Sequence, residues 1–249
     1  MLSQERYQLI QDIINERNTV TVAELAEALN TSESTIRRDL TALDEIGKIR
    51  KFFGGATTIK HNGGFYEDTV SVRESIMSEE KTQIAKFAAS MITNNDFVYI
   101  DAGTTTSRLI DFITNDKATY ITNGIAHGRK LIQKGLNAYI IGGKIKAVTE
   151  AVVGAKGVAN LKNFNFTKAF MGTNGIDINS GYTTPDIEEA MMKEEAINNS
   201  YTSFILADST KFKRVFPVTF SKLEKCCIIT DKLVDSSIGN ETIVKEVIV

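Results

Sequence analysis

The sequence from Thr31 to Gly47 reads TSESTIRRDLTALDEIG, and its pattern indicates the local structure. Ser32 suits the N-cap of a helix, and Gly47 suits a helix stop. At about 100° per residue, four apolar side chains fall on one stripe: Ile36, Leu40, Leu43 and Ile46. A helix this short persists in water only when such a stripe is buried. The stretch therefore predicts an amphipathic helix packed against a small core.

The opposite face of this predicted helix is polar and basic. Ser34, Arg38 and Thr41 point away from the apolar stripe, with Arg37 on their flank. An arginine fork can hold guanine, and short hydroxyl side chains let a helix approach base edges closely. The whole sequence has 29 Lys+Arg against 31 Asp+Glu, but between Ser34 and Lys60 six basic residues face three acidic ones. This local positive charge is typical of a helix that lies on DNA.

The neighbouring segments extend this pattern. Residues 3–17 have helical apolar spacing, and Thr21 followed by Glu24 predicts a capping box that opens a second helix. After Gly47, the alternation in residues 48–53 predicts a strand, which the paired glycines 54–55 turn back. Two helices joined by a turn more often merely pack. The added basic hairpin gives the plan of a winged helix-turn-helix.

The rest of the chain alternates short apolar runs with helical stretches. The runs are Phe97–Ile100, Ala118–Ile121, Ala138–Ile141, Ala169–Met171, Phe204–Ala207 and Cys226–Ile229. Runs that are apolar on both faces predict a parallel sheet covered by helices on each side. Polar clusters follow five of them: residues 101–106, 122–124, 142–144, 172–175 and 208–211. The carboxyl ends of such strands share one edge of the sheet, where ligands bind.

The first of these clusters predicts a phosphate site. Gly103 and Thr104–Thr106 open a predicted helix and offer N–H groups, hydroxyls and the positive end of the helix dipole. The cluster is neither a Walker A sequence nor GxGxxG, so no nucleotide or other cofactor is predicted. A plain strand-to-helix turn explains any single cluster, but five together favour a pocket. Lys211 could supply a cation for the phosphate or bond to sugar hydroxyls, and a solvated surface lysine is the alternative.

Other features exclude several classes of protein. The sequence has no apolar run of membrane-spanning length and no signal peptide at its start, so we expect a cytoplasmic protein. Cys226 and Cys227 would point to opposite faces of a strand, and neither a disulfide nor a metal site is expected. The two histidines are His61, between the halves, and His127, expected on a helix surface. Catalysis by a nucleophile, a histidine and an acid therefore has little support.

The two halves resemble one known family. The run VTVAELAEALNTSESTIRRDLTALDEIGKIRKFFGGA resembles the N-terminal domain of the DeoR family of bacterial transcriptional repressors, with Phe53 where the family usually has histidine. The segments DAGTTT, TNG, Gly142-Gly143, AFMGTNGID, GYTT and ADSTK resemble the family's C-terminal sensor domain. That domain is similar to ribose 5-phosphate isomerase and binds phosphorylated sugars without turning them over. Together the two halves cover nearly the whole chain.

The expected fold class is therefore α/β, with an N-terminal winged helix-turn-helix and a larger doubly wound α/β sensor domain. We expect residues 1–58 to form the DNA-binding domain, residues 59–75 a linker, and residues 76–249 the sugar-phosphate-sensing domain. The sequence from His61 to Gly64 has too little apolar content to pack and predicts a flexible exit.

The expected sites follow from the patterns and the resemblance together. DNA contacts are expected from Thr21, Ser32, Ser34, Thr35, Arg37, Arg38, Thr41, Arg50 and Lys51. Effector contacts are expected from Asp101, Gly103, Thr104, Thr105, Thr106, Asn123, Gly124, Gly143, Lys144, Gly172, Asn174, Glu189, Asp208 and Lys211. Glu189 and Lys193, on the helix after Pro185, match a further segment of the family.

The expected partners are double-stranded operator DNA and a phosphorylated sugar, with a homodimer or homotetramer as the assembly and no membrane. The likeness to fructose operon repressors implies fructose 1-phosphate, while tagatose 6-phosphate and glycerol phosphate belong to similar relatives. The alternative is an isomerase-like enzyme with an appended DNA-binding domain, using Asp101, Asp177 or Asp208 for acid–base chemistry. An isomerase has no use for a DNA-reading domain, which weighs against this alternative.

Overall fold

The structure is a computed structural model, and it describes residues 3–17, 19–52, 54–58, 73–74 and 76–247. The chain divides into two compact units, Met1–Phe65 and Tyr66–Val249. The division falls within the expected linker, of which residues 59–72 and 75 lie outside the described residues. The expected flexible exit at residues 61–64 and the departure at Phe53 lie outside them as well.

The described residues of the N-terminal unit form three helices and a three-stranded sheet. Its elements are α1 (Ser3–Arg17), β1 (Thr19–Thr21), α2 (Val22–Ala28), α3 (Glu33–Glu45), β2 (Ile49–Phe52) and β3 (Gly55–Thr58). The strands pair antiparallel in the order β1-β3-β2, so the predicted hairpin is confirmed and gains a third strand. Ile10, Ile14, Leu25, Ile36, Leu40 and Leu43 are fully buried and form the centre of one core.

Local capping determines where the two central helices begin and end. The Thr21 hydroxyl accepts from the Glu24 N–H while the Glu24 carboxylate accepts from the Thr21 N–H, which confirms the capping box. Ser32 caps α3 by accepting from the Thr35 N–H. Gly47 follows α3 with φ +67°, a conformation in which glycine meets no Cβ penalty.

One residue of the predicted stripe lies elsewhere. Ile46 comes after the last residue of α3 and is 60% exposed, so its expected burial was wrong. The chain turns at Gly47, where the Lys48 N–H bonds back to the Leu43 carbonyl. The helical period therefore no longer places Ile46 over the core.

The C-terminal unit is built on a sheet of seven parallel strands in the order β15-β14-β12-β9-β4-β5-β6. These are β4 (Phe97–Ile100), β5 (Thr119–Thr122), β6 (Asn137–Ile140), β9 (Phe166–Gly172), β12 (Ser200–Leu206), β14 (Cys227–Thr230) and β15 (Val244–Glu246). Its helices are α4 (Ser78–Ser90), α5 (Thr104–Phe112), α6 (Ile125–Gln133), α7 (Ala155–Leu161) and α8 (Ile187–Asn198). All six predicted strands are present, whereas β15 was not predicted.

Two cores cover the two faces of this sheet. On one face α4 and α5 pack against Val98, Ile100 and Phe170, and on the other α7 and α8 pack against Tyr99 and Met171. Successive strand residues alternate between the two cores, as the period of two requires. The expected doubly wound architecture is therefore present.

The edges of the unit carry smaller antiparallel pieces. They are a hairpin of β7 (Lys144–Lys146) and β8 (Ala151–Val153), and a small sheet of β10 (Gly175–Asp177), β11 (Gly181–Thr184) and β13 (Val218–Ser221). The edge strand β6 departs from the expectation of burial on both faces, because Tyr139 is 58% and Ile140 51% exposed. No helix among the described residues is long and apolar enough to cross a membrane.

The strand order contains a switch point between β4 and β9. From β4 the chain adds β5 and β6 on one side, and then places β9 on the other side of β4 before adding β12 and β14. The connections therefore diverge above these two strands and leave a crevice at their carboxyl ends. Asp101 follows β4 and Gly172 ends β9, so both lie at this crevice.

Candidate nucleic-acid interface and anion pocket

Arg37 and Arg38 on the outer face of α3 make only weak contacts with their own helix. Arg37 forms an ion pair with Glu33 one turn earlier, at 2.8 Å between Nη2 and Oε2, and both side chains are more than half exposed. The Arg38 Nε donates to the Ser34 carbonyl at 3.4 Å. Exposed pairs and long hydrogen bonds of this kind contribute little free energy. Both guanidinium groups can therefore exchange these partners for phosphate or base edges at little cost.

The predicted hydroxyl residues on this face bond to one another. The Ser32 hydroxyl lies 3.0 Å from that of Ser34 and 2.9 Å from that of Thr35, at the start of α3. Thr21 is engaged in the capping box of α2. Ser32, Ser34 and Thr35 therefore keep the exposed start of α3 small and polar, while Thr21 caps the start of α2.

The hairpin of β2 (Ile49–Phe52) and β3 (Gly55–Thr58), which forms the wing, is hydrogen-bonded to α3. The Lys51 N–H donates to the Asp44 carboxylate, and the Lys51 ammonium donates to the Thr41 hydroxyl at 2.7 Å. Thr41 in turn donates to the Arg37 carbonyl. Thr41 and Lys51 are therefore neighbours on one surface, while the side chain of Arg50 lies outside the described part of the structure.

Asp39, which follows Arg37 and Arg38 in α3, is acidic and faces inward. Asp39 is buried and accepts two hydrogen bonds from Arg6 of α1, at 2.5 Å and 3.0 Å. The Arg6 guanidinium, whose pKa is raised mainly by this hydrogen bond, neutralises the carboxylate. The outer face of α3 therefore keeps its positive charge, because Asp39 does not contribute to it.

A cavity opens at the crevice of the C-terminal unit and encloses about 550 Å³, including solvent at its mouth. Its lining combines the start of α5 with the end of β9 and includes five charged side chains. All the residues that line it are Arg73, Lys81, Ala102, Gly103, Thr104, Thr105, Thr106, Thr149, Gly172, Thr173, Asn174, Glu189, Lys193, Leu206 and Lys211. Such a lining suits an anionic, hydroxyl-rich ligand.

A buried ion pair lies at the base of this cavity. The Lys193 ammonium of α8 contacts the Asp101 carboxylate and donates to the Gly172 carbonyl at 3.0 Å. The Gly172 N–H donates back to Asp101 at 3.0 Å. Burial raises the pKa of the Asp101 carboxyl, and the Lys193 ammonium opposes that rise. The pair ties β4, β9 and α8 together at the switch point.

A second buried lysine faces the other side of the cavity. Lys81 of α4 is almost fully buried, and its ammonium lies 3.9 Å from the Asp208 carboxylate and donates to the Arg73 carbonyl. Burial lowers the pKa of Lys81 to about 8, with the Asp208 carboxylate opposing that change. Asp208 also accepts from the Thr210 N–H, so it shapes the short helix that carries Lys211.

The hairpin formed by β7 and β8 closes one wall. Thr149 in its turn donates to the Glu189 carboxylate of α8 at 2.8 Å, and Lys146 lies 3.2 Å from the same carboxylate. Glu189 is buried and lines the cavity, so it is placed to accept from ligand hydroxyls.

Eight of the fourteen predicted effector residues line the cavity: Gly103, Thr104, Thr105, Thr106, Gly172, Asn174, Glu189 and Lys211. The other six lie behind or beside it: Asp101, Asn123, Gly124, Gly143, Lys144 and Asp208. Asn123 supports the loop, since its side-chain oxygen accepts from the Ala102 N–H and its amide donates to the Val152 carbonyl. Lys144 is exposed and pairs with Glu188 at 2.7 Å.

Sequence reasoning missed Lys81, Arg73 and Thr149 as lining residues. Lys81 left a usable signal, because it shares a helix face with Ile84, Ala85 and Ala88, and a lysine at the head of an apolar stripe is an unusual buried cation. Arg73 and Thr149 left none. Their positions depend on how distant segments meet.

The placement of His127 is a further correction. It was expected on a helix surface, yet it is 5% exposed and lies under the loop that begins α5. Burial lowers its pKa to about 4.

Within the described residues, no group of three or more His, Cys, Asp or Glu side chains could hold a metal ion.

Both halves of the sequence match known family models. A family model described as the DeoR-like helix-turn-helix domain matches residues 6–62, and one described as the DeoR C terminal sensor domain matches residues 76–232. Solved structures that match over part of the chain include ribose 5-phosphate isomerases from Methanocaldococcus jannaschii, at a TM-score of 0.41 and 13% identity over 54% of each chain, and from Plasmodium falciparum, at a TM-score of 0.42 and 16% identity over 55% of this chain and 53% of that one.

Three regulators match over most of their length. The HTH-type transcriptional regulator FruR of Bacillus subtilis is 37% identical over 99% of both chains. IolR of the same species is 32% identical over 92% of both, and the lactose phosphotransferase system repressor of Staphylococcus aureus is 32% identical over 90% of both. Two family models and three regulators of matching length lead to one conclusion: the chain belongs to the DeoR family of transcriptional regulators.

Proposed function

We propose that the chain is a repressor of a sugar-utilisation operon whose DNA binding is controlled by a phosphorylated sugar. The observation that carries this proposal is the cavity at the switch point, where three consecutive threonines open a helix beside Lys81 and Lys211. The family membership and the matched repressors support the same function.

The cavity divides chemically into two ends. Gly103, the N-cap residue of α5, has no side chain to bond the N–H groups of the first turn, so a phosphate can bind there. Lys81 and Lys211 supply positive charge for the phosphate. Asn174 and Glu189 supply an amide and a carboxylate for sugar hydroxyls. The sugar we propose first is fructose 1-phosphate, because of the resemblance to fructose operon repressors.

The DNA-binding half works through residues 1–58. Ser34, Thr35, Arg37 and Arg38 contact bases or phosphates in the major groove, and Lys51 and Arg50 hold the backbone from the wing. A homodimer or homotetramer places two reading helices in successive major grooves, about 34 Å apart. The effector changes operator affinity only if it binds one arrangement of the protein more tightly than the other.

The test is a titration with fructose 1-phosphate, tagatose 6-phosphate and glycerol phosphate, read by calorimetry. Operator binding is read by gel shift on a site that the protein itself selects from random DNA. Lys211→Ala and Thr105→Ala should weaken binding of the sugar phosphate about tenfold and leave DNA binding unchanged. Lys222→Ala removes an exposed lysine outside the cavity and is the matched control. Wild-type affinity in both cavity variants would contradict the proposed pocket.

The enzymatic alternative is tested separately. Asp101 and Asp208 are buried behind the cavity, and Asp177 accepts from the N–H groups of Asn179 and Ser180 in a turn. These three candidates for acid–base chemistry do not line the cavity, whereas Glu189 does. Measurable conversion of ribose 5-phosphate by the wild-type protein, lost in Glu189→Gln, would contradict a purely regulatory role.

A further inference from the structure

His127 reaches from α6 into the loop that begins the neighbouring helix. Its Nε2 atom lies 3.3 Å from the Gly103 nitrogen, 3.1 Å from the Gly103 carbonyl oxygen and 3.2 Å from the Thr106 hydroxyl. Both contacted residues belong to the loop that lines the cavity. No other side chain among the described residues caps the start of α5.

The ring is neutral at pH 7, because burial lowers the pKa of His127 to about 4. A neutral imidazole has one accepting and one donating nitrogen. The Gly103 carbonyl already accepts from the Ser107 N–H at 2.9 Å and lies 2.9 Å from the Thr106 hydroxyl. The Gly103 N–H, by contrast, donates to His127. With the proton on Nδ1, Nε2 accepts from the Gly103 N–H; with the proton on Nε2, the ring donates to the Gly103 carbonyl oxygen at 3.1 Å, so the tautomer decides which bond forms.

Gly124 packs against the His127 ring and has no side chain to displace it. A Cβ added to Gly124 would lie 2.5 Å from His127 Nδ1 and 2.8 Å from Cγ. Any side chain at residue 124 would therefore push the ring away from the loop. Gly124 does not line the cavity, and its contact with the imidazole explains why glycine stands there.

We propose that His127 is a positioning residue of the effector site: its Nε2 accepts from the Gly103 N–H and holds the loop so that the next N–H groups face the phosphate. This inference rests on the proposed function. Because the imidazole satisfies the Gly103 N–H from behind, the N–H groups of Thr104, Thr105 and Thr106 remain for the anion. His127 touches the loop and acts on the phosphate through it.

Substitutions at residue 127 separate the hydrogen bond from the packing of the ring. The side-chain amide of glutamine reaches about as far as Nε2, whereas that of asparagine reaches only as far as Nδ1. His127→Gln should keep the affinity of the full chain for fructose 1-phosphate within about threefold of wild type, and His127→Asn should lower it about tenfold. Both variants lose the ring, so equal melting temperatures would assign the difference to the hydrogen bond.

Gly124→Ala displaces the ring by another route. It should weaken fructose 1-phosphate about as much as His127→Asn does, and the double variant should be no weaker than either single one, because both changes remove the same contact. Full additivity of the two losses would contradict the proposal.

Nitrogen NMR of the wild-type chain tests the assignment without any substitution. The sequence has two histidines, so the spectrum is simple and His127→Gln assigns it. The His127 signals should show the Nδ1–H tautomer between pH 6 and pH 8, the window chosen because it lies well above the pKa of about 4, and should shift when fructose 1-phosphate is added. An Nε2–H tautomer, or equal affinity in the asparagine and glutamine variants, would overturn the assignment. Failure of the wild type to bind any sugar phosphate would overturn the proposed function as well.

Discussion

The two candidate sites of this chain hold their charges in opposite ways. On α3, Arg37 pairs with Glu33 four residues earlier, and the two side chains are 59% and 52% exposed. In the cavity, Lys193 pairs with Asp101 across 92 residues of sequence, and the two side chains are 6% and 2% exposed. The first pair can open in water at little cost, whereas the second cannot.

This difference determines what each site can do. A surface that must release its own partners to grip DNA needs weak local bonds, since each of them is exchanged on binding. A pocket that must recognise one small anion needs groups that are already fixed, because rigidity lowers the cost of binding. If the proposed function holds, substitutions on α3 should change DNA binding without changing stability, whereas substitutions in the cavity should change both effector binding and stability.

Loss of the buried ion pair between Lys193 and Asp101 should destabilise the protein strongly. Lys193→Met leaves the Asp101 carboxylate buried with the Gly172 N–H as its remaining hydrogen-bond donor. Removal of one partner of such a pair costs about 3–5 kcal/mol, so the urea midpoint of the C-terminal unit should fall markedly. Lys144→Met is the matched control, because it breaks an ion pair with Glu188 in which Lys144 is 67% exposed. Equal losses in the two variants would show that burial does not distinguish these pairs.

Arg38→Ala tests the exposed half. Its guanidinium makes only a long bond to the Ser34 carbonyl, so the melting temperature should not change. Operator affinity should fall by about 1–3 kcal/mol with blurred base preference, as expected for an arginine that reads a base. Unchanged selectivity in a gel-shift competition would contradict its place on the reading face.

Binding of an anion in the cavity should depend on pH, because Lys81 lines the cavity and has a pKa of about 8. Asp208, Lys211, Arg108 and Arg73 surround it, and burial is the main cause of the lowered pKa. A sugar phosphate is a dianion above about pH 7, so it favours the protonated lysine. Affinity for fructose 1-phosphate should therefore be highest between about pH 7 and pH 8 and fall by at most about tenfold per pH unit above that window.

The stability of the free protein should depend on pH in the opposite direction to the affinity for the effector. The pKa of Lys81 lies below its ordinary value of 10.5, so the unfolded chain binds more protons between those two values, and stability should rise with pH across that window. Calorimetry and urea unfolding of wild type and Lys81→Met over this range check both trends. A pH slope that persists in Lys81→Met would assign it to another group.

The strands and helices were predictable because short-range patterns carry them. The capping pair Thr21 and Glu24, the stop at Gly47 and the apolar runs that became β4, β9 and β12 all lie in the sequence as local signals. The exposure of β6 was not predictable in this way, because an apolar run does not say whether its strand will lie at an edge.

The cavity was predictable only in part, for a related reason. The loop residues Gly103 to Thr106 follow a strand directly, so the rule for sheet edges found them. Lys81 reaches the cavity from α4 and His127 supports the loop from α6, and these meetings depend on the packing of whole elements. A lysine within an apolar helix stripe was the one local sign available.

A small effect is expected at Ile46, because a local apolar pattern does not show where α3 ends. Ile46 continues the apolar period of Ile36 and Leu43, but it follows the last helical residue and is 60% exposed. Ile46→Lys should therefore change the free energy of unfolding by no more than about 0.5 kcal/mol, while Leu43→Ala should cost about 2–5 kcal/mol. Urea unfolding of the two variants measures both values. A large loss in Ile46→Lys would mean that Ile46 is covered in solution, and the period of the helix would then extend past the turn at Gly47.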